Sequence, residues 1–475
     1  GNAEEIKYIC FNAPKGYYAE YNSDIHKWVC DDETNSGECL RRQFDSQILN
    51  LYNRDYKSII ARKIALATEE DDNDEIEKLE RVKKKIDKIT TRLKTGSSIN
   101  AILKLCNSKF LLNNVLSKFD TSLDLIGFTN GVYDLSKDIF REGRPSDYIR
   151  LSTNIEYEEY HHDHPDIKSL MTIINKILPI ERVREWFLQI LSTSLSGVQF
   201  HEHFYILSGS GANGKSVLID FIRDCFGEYY AQMNVSALCS KRASSTSADP
   251  ELANLQGKRV VTFSEPSKDE SINTGYLKYL TGGDAIQARQ LYKSQVEFLS
   301  QTKVYLICND IPNIPSDDDG TWRRVKIVLF PSKFRNEHDL IGAKYEFRKD
   351  PLVKEKLNEL KSAFMWLLID YFKKFKVNHR NGGLQEPPEV NIATARQKAK
   401  NNPIETFVEN QIIITNNKND IISITQLTDK LREYMQNEGH HQKLIPKREE
   451  IKEKFNILYI TLIRKHLGKQ IENDP

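Results

Sequence analysis

Long hydrophobic runs are missing from this sequence. Hydrophobic residues make up 39% and charged residues 28% of its 475 positions, which is an ordinary balance for a globular protein. A transmembrane helix needs about 20 consecutive apolar residues, and no stretch of the sequence approaches that length. We therefore expect no membrane partner for this chain.

Regularly spaced cysteines are missing as well. The chain has 7 cysteines, an odd number, and none of them forms a Cys-x-x-Cys pair, so neither a zinc site nor a disulfide framework is indicated. We expect the reduced thiols of an intracellular protein. The opening Gly1-Asn2-Ala3 has no initiator methionine and none of the segments of a signal peptide, which favours a fragment of a longer chain.

An excess of charge of one sign is also missing from the sequence. The net charge of +1 excludes a uniformly basic nucleic-acid-binding protein. It permits local binding, because a ring or channel needs cations only on its inner face. At 475 residues the chain is too long for a single hydrophobic core, and about three domains are expected.

The most informative stretch that is present is a glycine-rich loop at residues 209–216. It matches the phosphate-binding pattern G-x-x-x-x-G-K-[ST] at every fixed position, with an apolar run before it and helical spacing after it. Backbone N–H groups and the positive end of the following helix bind polyphosphate, and small residues allow its close approach. The predicted nucleotide-binding residues are Gly209, Ser210, Gly211, Ala212, Asn213, Gly214, Lys215 and Ser216.

Two residues of this loop have further predicted roles. Lys215 places a cation on the outer phosphates, and the Ser216 hydroxyl is a predicted ligand of Mg²⁺. The sequence therefore predicts binding of a nucleoside triphosphate together with Mg²⁺.

Polar residues follow two predicted buried strands downstream of the loop. Glu265 comes after the β-branched run that begins near residue 260, and a carboxylate in that place can coordinate Mg²⁺ or activate water. Asn309 ends the run 302–309, where an amide can orient the attacking water near the γ-phosphate. Both are candidate catalytic residues, and Glu265 is also a candidate metal ligand.

Two arginines and two predicted hairpins complete the set of motifs. Arg323 and Arg324 precede a predicted strand and are candidates for stabilising transition-state charge in a neighbouring subunit. Residues 284–298 alternate in strand fashion, with residues 292–295 as the predicted tip of a hairpin. Asn130-Gly131 between two apolar runs predicts the other hairpin.

In this order the motifs resemble those of superfamily 3 helicases. The Walker A, Walker B, B-prime, sensor and arginine-finger motifs of that group correspond here to residues 209–216, 263–265, 281–293, 309 with Pro312, and 322–324. More narrowly, the chain resembles the helicase part of the primase-helicases of large DNA viruses, phages and plasmids, the poxvirus nucleoside triphosphatase type. Residues 128–135 resemble the signature of the region that precedes the motor in those proteins.

The resemblance implies an AAA+ motor that assembles as a homo-hexamer, hydrolyses ATP between subunits and moves along single-stranded or forked DNA in the 3′-to-5′ direction. Lys293, at the hairpin tip, would contact DNA, and Lys278 would reach the phosphates bound by a neighbouring subunit. A primase domain N-terminal to this chain is also implied, as is, for a viral protein, action in the host-cell cytoplasm or at a replication site. Ser264 stands where many members have a second carboxylate, so it remains open whether Glu265 holds Mg²⁺, activates water or does both.

The fold class expected from these motifs is α/β, with an AAA+ P-loop motor domain between a mainly helical N-terminal region and a C-terminal helical, winged-helix-like domain. The expected divisions are an N-terminal mixed region with a long charged helix, a mainly helical pre-motor domain, the motor core, a helical lid and the winged-helix-like domain, at residues 1–98, 99–196, 197–335, 336–385 and 386–475.

Two other functions stay open on the sequence alone. A P-loop phosphotransferase would explain Lys215 and Glu265 but gives no role to Asn309, to the hairpin at 284–298 or to residues 322–324. A nucleotide-gated DNA-binding or assembly factor without unwinding activity would use the same motifs.

Overall fold

The computed structural model describes residues 7–31, 36–240, 249–267, 270–289, 295–316, 318–401, 403–413, 422–437, 449 and 451–452. Over these residues the protein is a mixed α/β structure. A five-stranded parallel sheet is formed by strands between residues 204 and 329, and two three-stranded antiparallel sheets precede it along the chain.

The N-terminal region combines a small sheet with helices. Its elements are β1 (Tyr8–Asn12), β2 (Tyr17–Asn22), β3 (Lys27–Cys30), α1 (Glu38–Gln43), α2 (Lys57–Glu69), α3 (Asn73–Leu93) and α4 (Gly96–Lys109). The charged block predicted as a helix is α3, and the Asp72 carboxylate caps it by accepting a hydrogen bond from the Glu75 N–H. Leu79, Ile86 and Leu93 are buried at seven-residue intervals, which gives the helix one buried stripe.

A second antiparallel sheet and two helices come next. They are β4 (Leu125–Phe128), β5 (Gly131–Asp134), β6 (Ile139–Arg141), α5 (Pro165–Ile177) and α6 (Glu181–Ser192). The predicted hairpin is present, with its turn one residue earlier than predicted, at Thr129 and Asn130. The Asn130 amide accepts from and donates to the backbone of Tyr157, at 2.9 Å each. Residues 99–196, expected to be mainly helical, thus contain a sheet as well.

The central region follows in a strand-helix alternation. Its elements are β7 (Phe204–Ser208), α7 (Lys215–Phe226), β8 (Tyr230–Met233), α8 (Val235–Cys239), α9 (Pro250–Ala253), β9 (Val260–Phe263), α10 (Thr274–Thr281), β10 (Ala285–Arg289), β11 (Gln295–Leu299), β12 (Lys303–Cys308), α11 (Asp319–Trp322) and β13 (Val325–Leu329). Five of the strands form the parallel sheet in the order β13-β7-β12-β9-β8. Every residue of β7 and β9 is buried, as expected for strands covered on both faces.

The sheet order decides where a ligand can lie. β7 has β12 on one side and β13 on the other, although the chain visits β8 and β9 in between. Ligands of parallel sheets bind outside the carboxyl ends of the strands, where the strand order reverses. The glycine-rich loop leaves the carboxyl end of β7, so it lies at this edge.

The C-terminal part is mainly helical after a short two-stranded ribbon. It contains β14 (Lys333–Arg335), β15 (Glu346–Arg348), α12 (Val353–Glu359), α13 (Lys361–Arg380), α14 (Pro388–Asn401), α15 (Pro403–Gln411) and α16 (Ile424–Asn437). The expected helical lid at 336–385 therefore opens with the end of a ribbon. Much of the expected winged-helix-like domain lies outside the described residues. None of the helices in the described ranges is both long and apolar enough to cross a bilayer.

Two buried cations connect the parallel sheet to segments that precede it along the chain. Arg259, only 1% exposed, donates to the Ser122 carbonyl at 2.9 Å and the Leu125 carbonyl at 3.3 Å. The Lys303 ammonium donates to carbonyls of residues 196 and 198 at 2.6 and 2.9 Å, and burial lowers its pKa well below the usual value. Both residues lie at the amino ends of strands, β9 and β12, where carbonyls of the preceding region surround them.

Candidate functional site

The glycine-rich loop has the backbone that its residues predict. Gly214, immediately before α7, has a φ of +81°, and a Cβ atom there would lie 2.8 Å from Ile177. A Cβ on Gly209 would lie 2.7 Å from the carbonyl oxygen of Phe330. Both positions thus require glycine, because neither has room for a side chain and one has a left-handed backbone.

Lys215 lies at the centre of the candidate site. Its side chain is 4% exposed, and its ammonium donates to the carbonyls of Cys308 and, at 3.4 Å, of Gly209. It also donates to Oδ1 of Asn309 at 3.2 Å. Burial lowers the pKa of Lys215 from its ordinary value. The ammonium is thus held between the carboxyl ends of β7 and β12, among oxygen acceptors.

Asn309 connects Lys215 to Glu265. Its Oδ1 accepts from the Lys215 ammonium, and its Nδ2 donates to Oε2 of Glu265 at 3.1 Å. Oε1 of Glu265 accepts from the backbone N–H of Asn309 at 2.9 Å and from that of Asp310 at 3.3 Å. The structure therefore brings together three residues that the sequence singled out separately, each at the end of a different parallel strand or at its loop.

These residues line a cleft of about 270 Å³. Ser216 lies in its wall beside Lys215, Glu265 and Asn309. The predicted Mg²⁺ ligands, a serine hydroxyl and a carboxylate, thus border the same cleft, and such hard oxygen donors suit Mg²⁺. Asn213 is also suited to bind phosphate, because its buried Nδ2 has no hydrogen-bond partner within the described part of the chain and is free to donate.

Sequence reasoning missed other residues of this cleft. Arg223, Asp220 and Thr262 also line it. The Arg223 guanidinium donates to the Asp220 carboxylate at 3.0 Å, and a hydrogen bond joins the hydroxyls of Tyr230 and Thr262. The available signal was helical spacing, since Arg223 follows Lys215 by eight residues on α7 and so lies two turns further along the same face.

The two candidate arginines lie near the amino ends of the strands, at the end of the sheet opposite the glycine-rich loop. Both pair with the Glu202 carboxylate, Arg323 at 2.8 Å and Arg324 at 2.6 Å. Arg324 also donates to the Gly320 carbonyl at 2.6 Å and its side chain is 10% exposed, whereas that of Arg323 is 65% exposed. They precede β13, whose first residue pairs with the first residue of β7, Phe204.

Lys278 lies on α10 and pairs with an acid next to the arginines. Its ammonium donates to Oδ1 of Asp318 at 2.8 Å, and this bond, with those from Ser316 and Thr321, holds the pKa of the Asp318 carboxyl well below its usual range. Asp318 caps α11, the helix that leads to Arg323. Lys278 is thus grouped with the arginines and not with the cleft around Lys215.

The predicted hairpin at 284–298 is an antiparallel pair of strands. Arg289 of β10 is the last residue paired before the tip, and it faces Gln295 of β11. Lys293, the predicted DNA contact, lies among the tip residues 290–294, outside the described residues.

Two family models match the chain. The model described as D5 N terminal like matches residues 12–179, and the model described as Family of unknown function (DUF5906) matches residues 207–324, which include the cleft residues named above. The match to the solved structure titled as the A form apo structure of the NrS-1 C terminal region covers 55% of this chain and 61% of that chain, with 13% identity and a TM-score of 0.36.

Curated relatives come from large DNA viruses. "Putative helicase L207/L206" of Acanthamoeba polyphaga mimivirus is 36% identical over 440 residues, which are 91% of this chain and 44% of that protein. "Putative helicase 184R" of Invertebrate iridescent virus 6 is 32% identical over 344 residues, 68% of this chain and 35% of that protein. "Putative primase C962R" of African swine fever virus, isolate Tick/Malawi/Lil 20-1/1983, is 23% identical over 363 residues, 74% of this chain and 37% of that protein.

The chain belongs to this family of viral helicases and primases. The membership confirms the resemblance inferred from the motifs, and the D5 N terminal like match includes the signature at residues 128–135. The chain spans less than half the length of each of these relatives.

Proposed function

We propose that this chain is the motor of a replicative DNA helicase of the AAA+ superfamily 3 type, which hydrolyses ATP with Mg²⁺ and translocates 3′-to-5′ on single-stranded DNA as a homo-hexamer. The observation that carries the proposal is the hydrogen-bonded connection of Lys215, Asn309 and Glu265 at the carboxyl edge of a parallel sheet. A cation, an amide and a carboxylate in one cleft are the groups that phosphoryl transfer to water needs.

Each group has a role in hydrolysis. The Lys215 ammonium binds the outer phosphates, and the backbone N–H groups at the start of α7 add to that positive site. The Glu265 carboxylate takes a proton from the attacking water or holds the metal, and Asn309 orients both neighbours. Ser216 and Glu265 would hold Mg²⁺, which when bound neutralises charge on the phosphates.

The position of the arginines supports hydrolysis between subunits. A strand rises about 3.3 Å per residue. The five residues of β7 therefore place its amino end, near Arg323, about 16 Å from the glycine-rich loop at its carboxyl end. Extended arginine side chains do not bridge that distance through a packed sheet. The exposure of Arg323 at the amino ends of the strands supports its action on the nucleotide of a neighbouring subunit, as in a ring. Lys278 and its partner Asp318 belong to the same surface.

The proposed domains of the chain keep the boundaries expected from the sequence motifs. Residues 197–335 form the motor core, preceded by 1–98 and 99–196 and followed by the lid at 336–385 and the winged-helix-like part at 386–475. A primase domain N-terminal to this chain is supported by relatives that are named as primases and are more than twice the length of the part they share with this chain.

A pair of assays tests the proposal. We expect ATP hydrolysis by purified, hexamer-sized protein to rise on addition of single-stranded DNA, and a forked duplex with a 3′ tail to be separated in the presence of ATP and Mg²⁺. Lys215→Ala should abolish both activities, since the phosphate cation is lost. ATPase activity that DNA does not change would favour a phosphotransferase, and DNA-stimulated hydrolysis without strand separation would favour a nucleotide-gated factor.

A further inference from the structure

One carboxylate lies between the two candidate arginines. Oε2 of Glu202 accepts from Nη2 of Arg323 at 2.8 Å, and the same oxygen lies 2.6 Å from Nη2 of Arg324. Two guanidinium groups that share one oxygen atom lie within a few ångströms of each other, where like charges repel. The negative charge of Glu202 offsets that repulsion, so both cations can occupy one place on the surface.

The two arginines are held to different degrees. The Arg324 side chain is 10% exposed, and its guanidinium also donates to the Gly320 carbonyl at 2.6 Å. The Arg323 side chain is 65% exposed, and within the described ranges its guanidinium has one partner, Glu202. An exposed ion pair of that kind contributes little to stability. Arg323 can therefore exchange Glu202 for another anion, whereas Arg324 stays with Glu202.

Backbone hydrogen bonds fix Glu202 relative to the arginines. Glu202 lies two residues before Phe204, the first residue of β7, and the Phe204 N–H donates to the Arg324 carbonyl at 2.7 Å. β7 and β13 then pair from their first residues onward. The carboxylate and the arginine segment thus precede two hydrogen-bonded strands of one sheet. Such a rigid support keeps a functional side chain in a defined position.

We propose that Glu202 is a positioning residue for an arginine finger. It holds Arg324 in place and offsets its charge, so that Arg323 projects towards the nucleotide of a neighbouring subunit. The inference rests on the proposed function, in which Arg323 acts between subunits. Glu202 precedes β7 and the glycine-rich loop follows it, so Glu202 does not reach the nucleotide of its own subunit. Its effect appears in the site of the neighbour.

Steady-state kinetics of Glu202→Gln test this role. The glutamine keeps the size of the side chain and an oxygen acceptor but loses the charge. We expect kcat for ATP to fall about tenfold or more, because the finger stabilises charge in the transition state, while KM for ATP stays within about twofold of the parent. Glu389→Gln is the matched control, since the Glu389 carboxylate accepts from Nε of Arg182 at 2.8 Å, and it should change neither constant. An unchanged kcat in Glu202→Gln, or a rise in KM without a fall in kcat, would overturn the proposal.

Mixed rings show on which subunit Glu202 acts. In a mixture of Glu202→Gln and Lys215→Ala subunits, some junctions join the intact loop of the first variant to the intact arginines of the second. We expect ATP turnover per Glu202→Gln subunit to rise several-fold as Lys215→Ala is added in excess, with co-assembly shown by mass. The parent mixed with Lys215→Ala measures any inhibition by inactive neighbours. No rise relative to that control would mean that Glu202 acts on the loop of its own subunit, through β7, and would overturn the proposal.

Failure of this inference and failure of the proposed function give different results. If Glu202→Gln does not assemble, as judged by mass, Glu202→Asp is held to the same two criteria, because it keeps the charge but draws the carboxylate back by one methylene group. A parent ring that hydrolyses ATP but does not separate DNA strands would overturn the helicase function and leave the role of Glu202 standing.

Discussion

Asn309 shows how a single neutral side chain organises the candidate site. Its carbonyl faces the Lys215 ammonium at 3.2 Å and its amino group faces the Glu265 carboxylate at 3.1 Å. A carboxylate at this position would attract the lysine but repel Glu265, and an amine would do the reverse. The amide satisfies both, so Glu265 is held in place without losing its negative charge.

This geometry gives a prediction for Glu265→Gln. The glutamine can still accept the backbone hydrogen bonds from Asn309 and Asp310, but it can neither carry charge nor take up a proton. We expect ATP affinity close to that of the parent and turnover reduced by about 100-fold or more, measured by titration and by phosphate release. Loss of ATP binding with an unchanged melting temperature would show that Glu265 acts chiefly as a metal ligand.

Replacing either of the two neighbouring arginines should affect the stability of the protein differently. The Arg324 side chain is 10% exposed, whereas the Arg323 side chain is 65% exposed. We expect Arg324→Ala to lower the free energy of unfolding by about 1 to 3 kcal/mol, because it removes a buried hydrogen-bonding group. Arg323→Ala should leave stability unchanged and lower ATP turnover by about 10³-fold. Urea unfolding and phosphate release measure the two effects, and the opposite pattern would make Arg324 the finger.

At the scale of elements, the packing of the parallel sheet against the segments that precede it depends on buried cations. Lys303→Met would leave the carbonyls of residues 196 and 198 without their donor, and we expect it to lower the free energy of unfolding by about 3 kcal/mol. Lys84→Met, at an exposed position of α3, is the control for removal of a charge. Equal unfolding midpoints in urea for the two variants would show that the carbonyls find other partners.

The elements also show what sequence could and could not predict. The loop at 209–216, Glu265 and Asn309 were predictable, because parallel strands place their carboxyl ends at one edge and the motifs mark those ends. Arg259 and Lys303 could not be recognised as buried, since a cation at the start of a strand normally lies in solvent and only the packing of another region encloses it. A cavity of about 480 Å³ beside Phe334 could not be predicted for a similar reason, because its walls come from α5, α7, α12 and β14, whose lining residues are spread between positions 173 and 353.

At the scale of the whole molecule, the separation of the arginines from the loop predicts sites shared between subunits. Lys215→Ala and Arg323→Ala are each expected to be inactive alone. Mixed rings should regain part of the ATP turnover, because some junctions join an intact loop to an intact arginine. Turnover is measured across mixing ratios, with co-assembly shown by mass. Mixtures that assemble and stay inactive would indicate a site completed within one chain.

We expect the hairpin formed by β10 and β11 to couple ATP hydrolysis to movement along DNA. The strands β10 and β11 pair up to Arg289 and Gln295, and Lys293 belongs to the segment of the sequence between them, the predicted hairpin tip. Lysines at such tips would line the pore of a ring and bind successive phosphates. We expect Lys293→Ala to weaken single-stranded DNA binding, to flatten its dependence on salt because phosphate contacts are lost, and to abolish unwinding. Most basal ATP hydrolysis should remain, since the cleft around Lys215 is unchanged, and Lys85→Ala on the exposed face of α3 should change none of these quantities. Unwinding of forked DNA by Lys293→Ala at the rate of the parent would mean that another segment grips the strand.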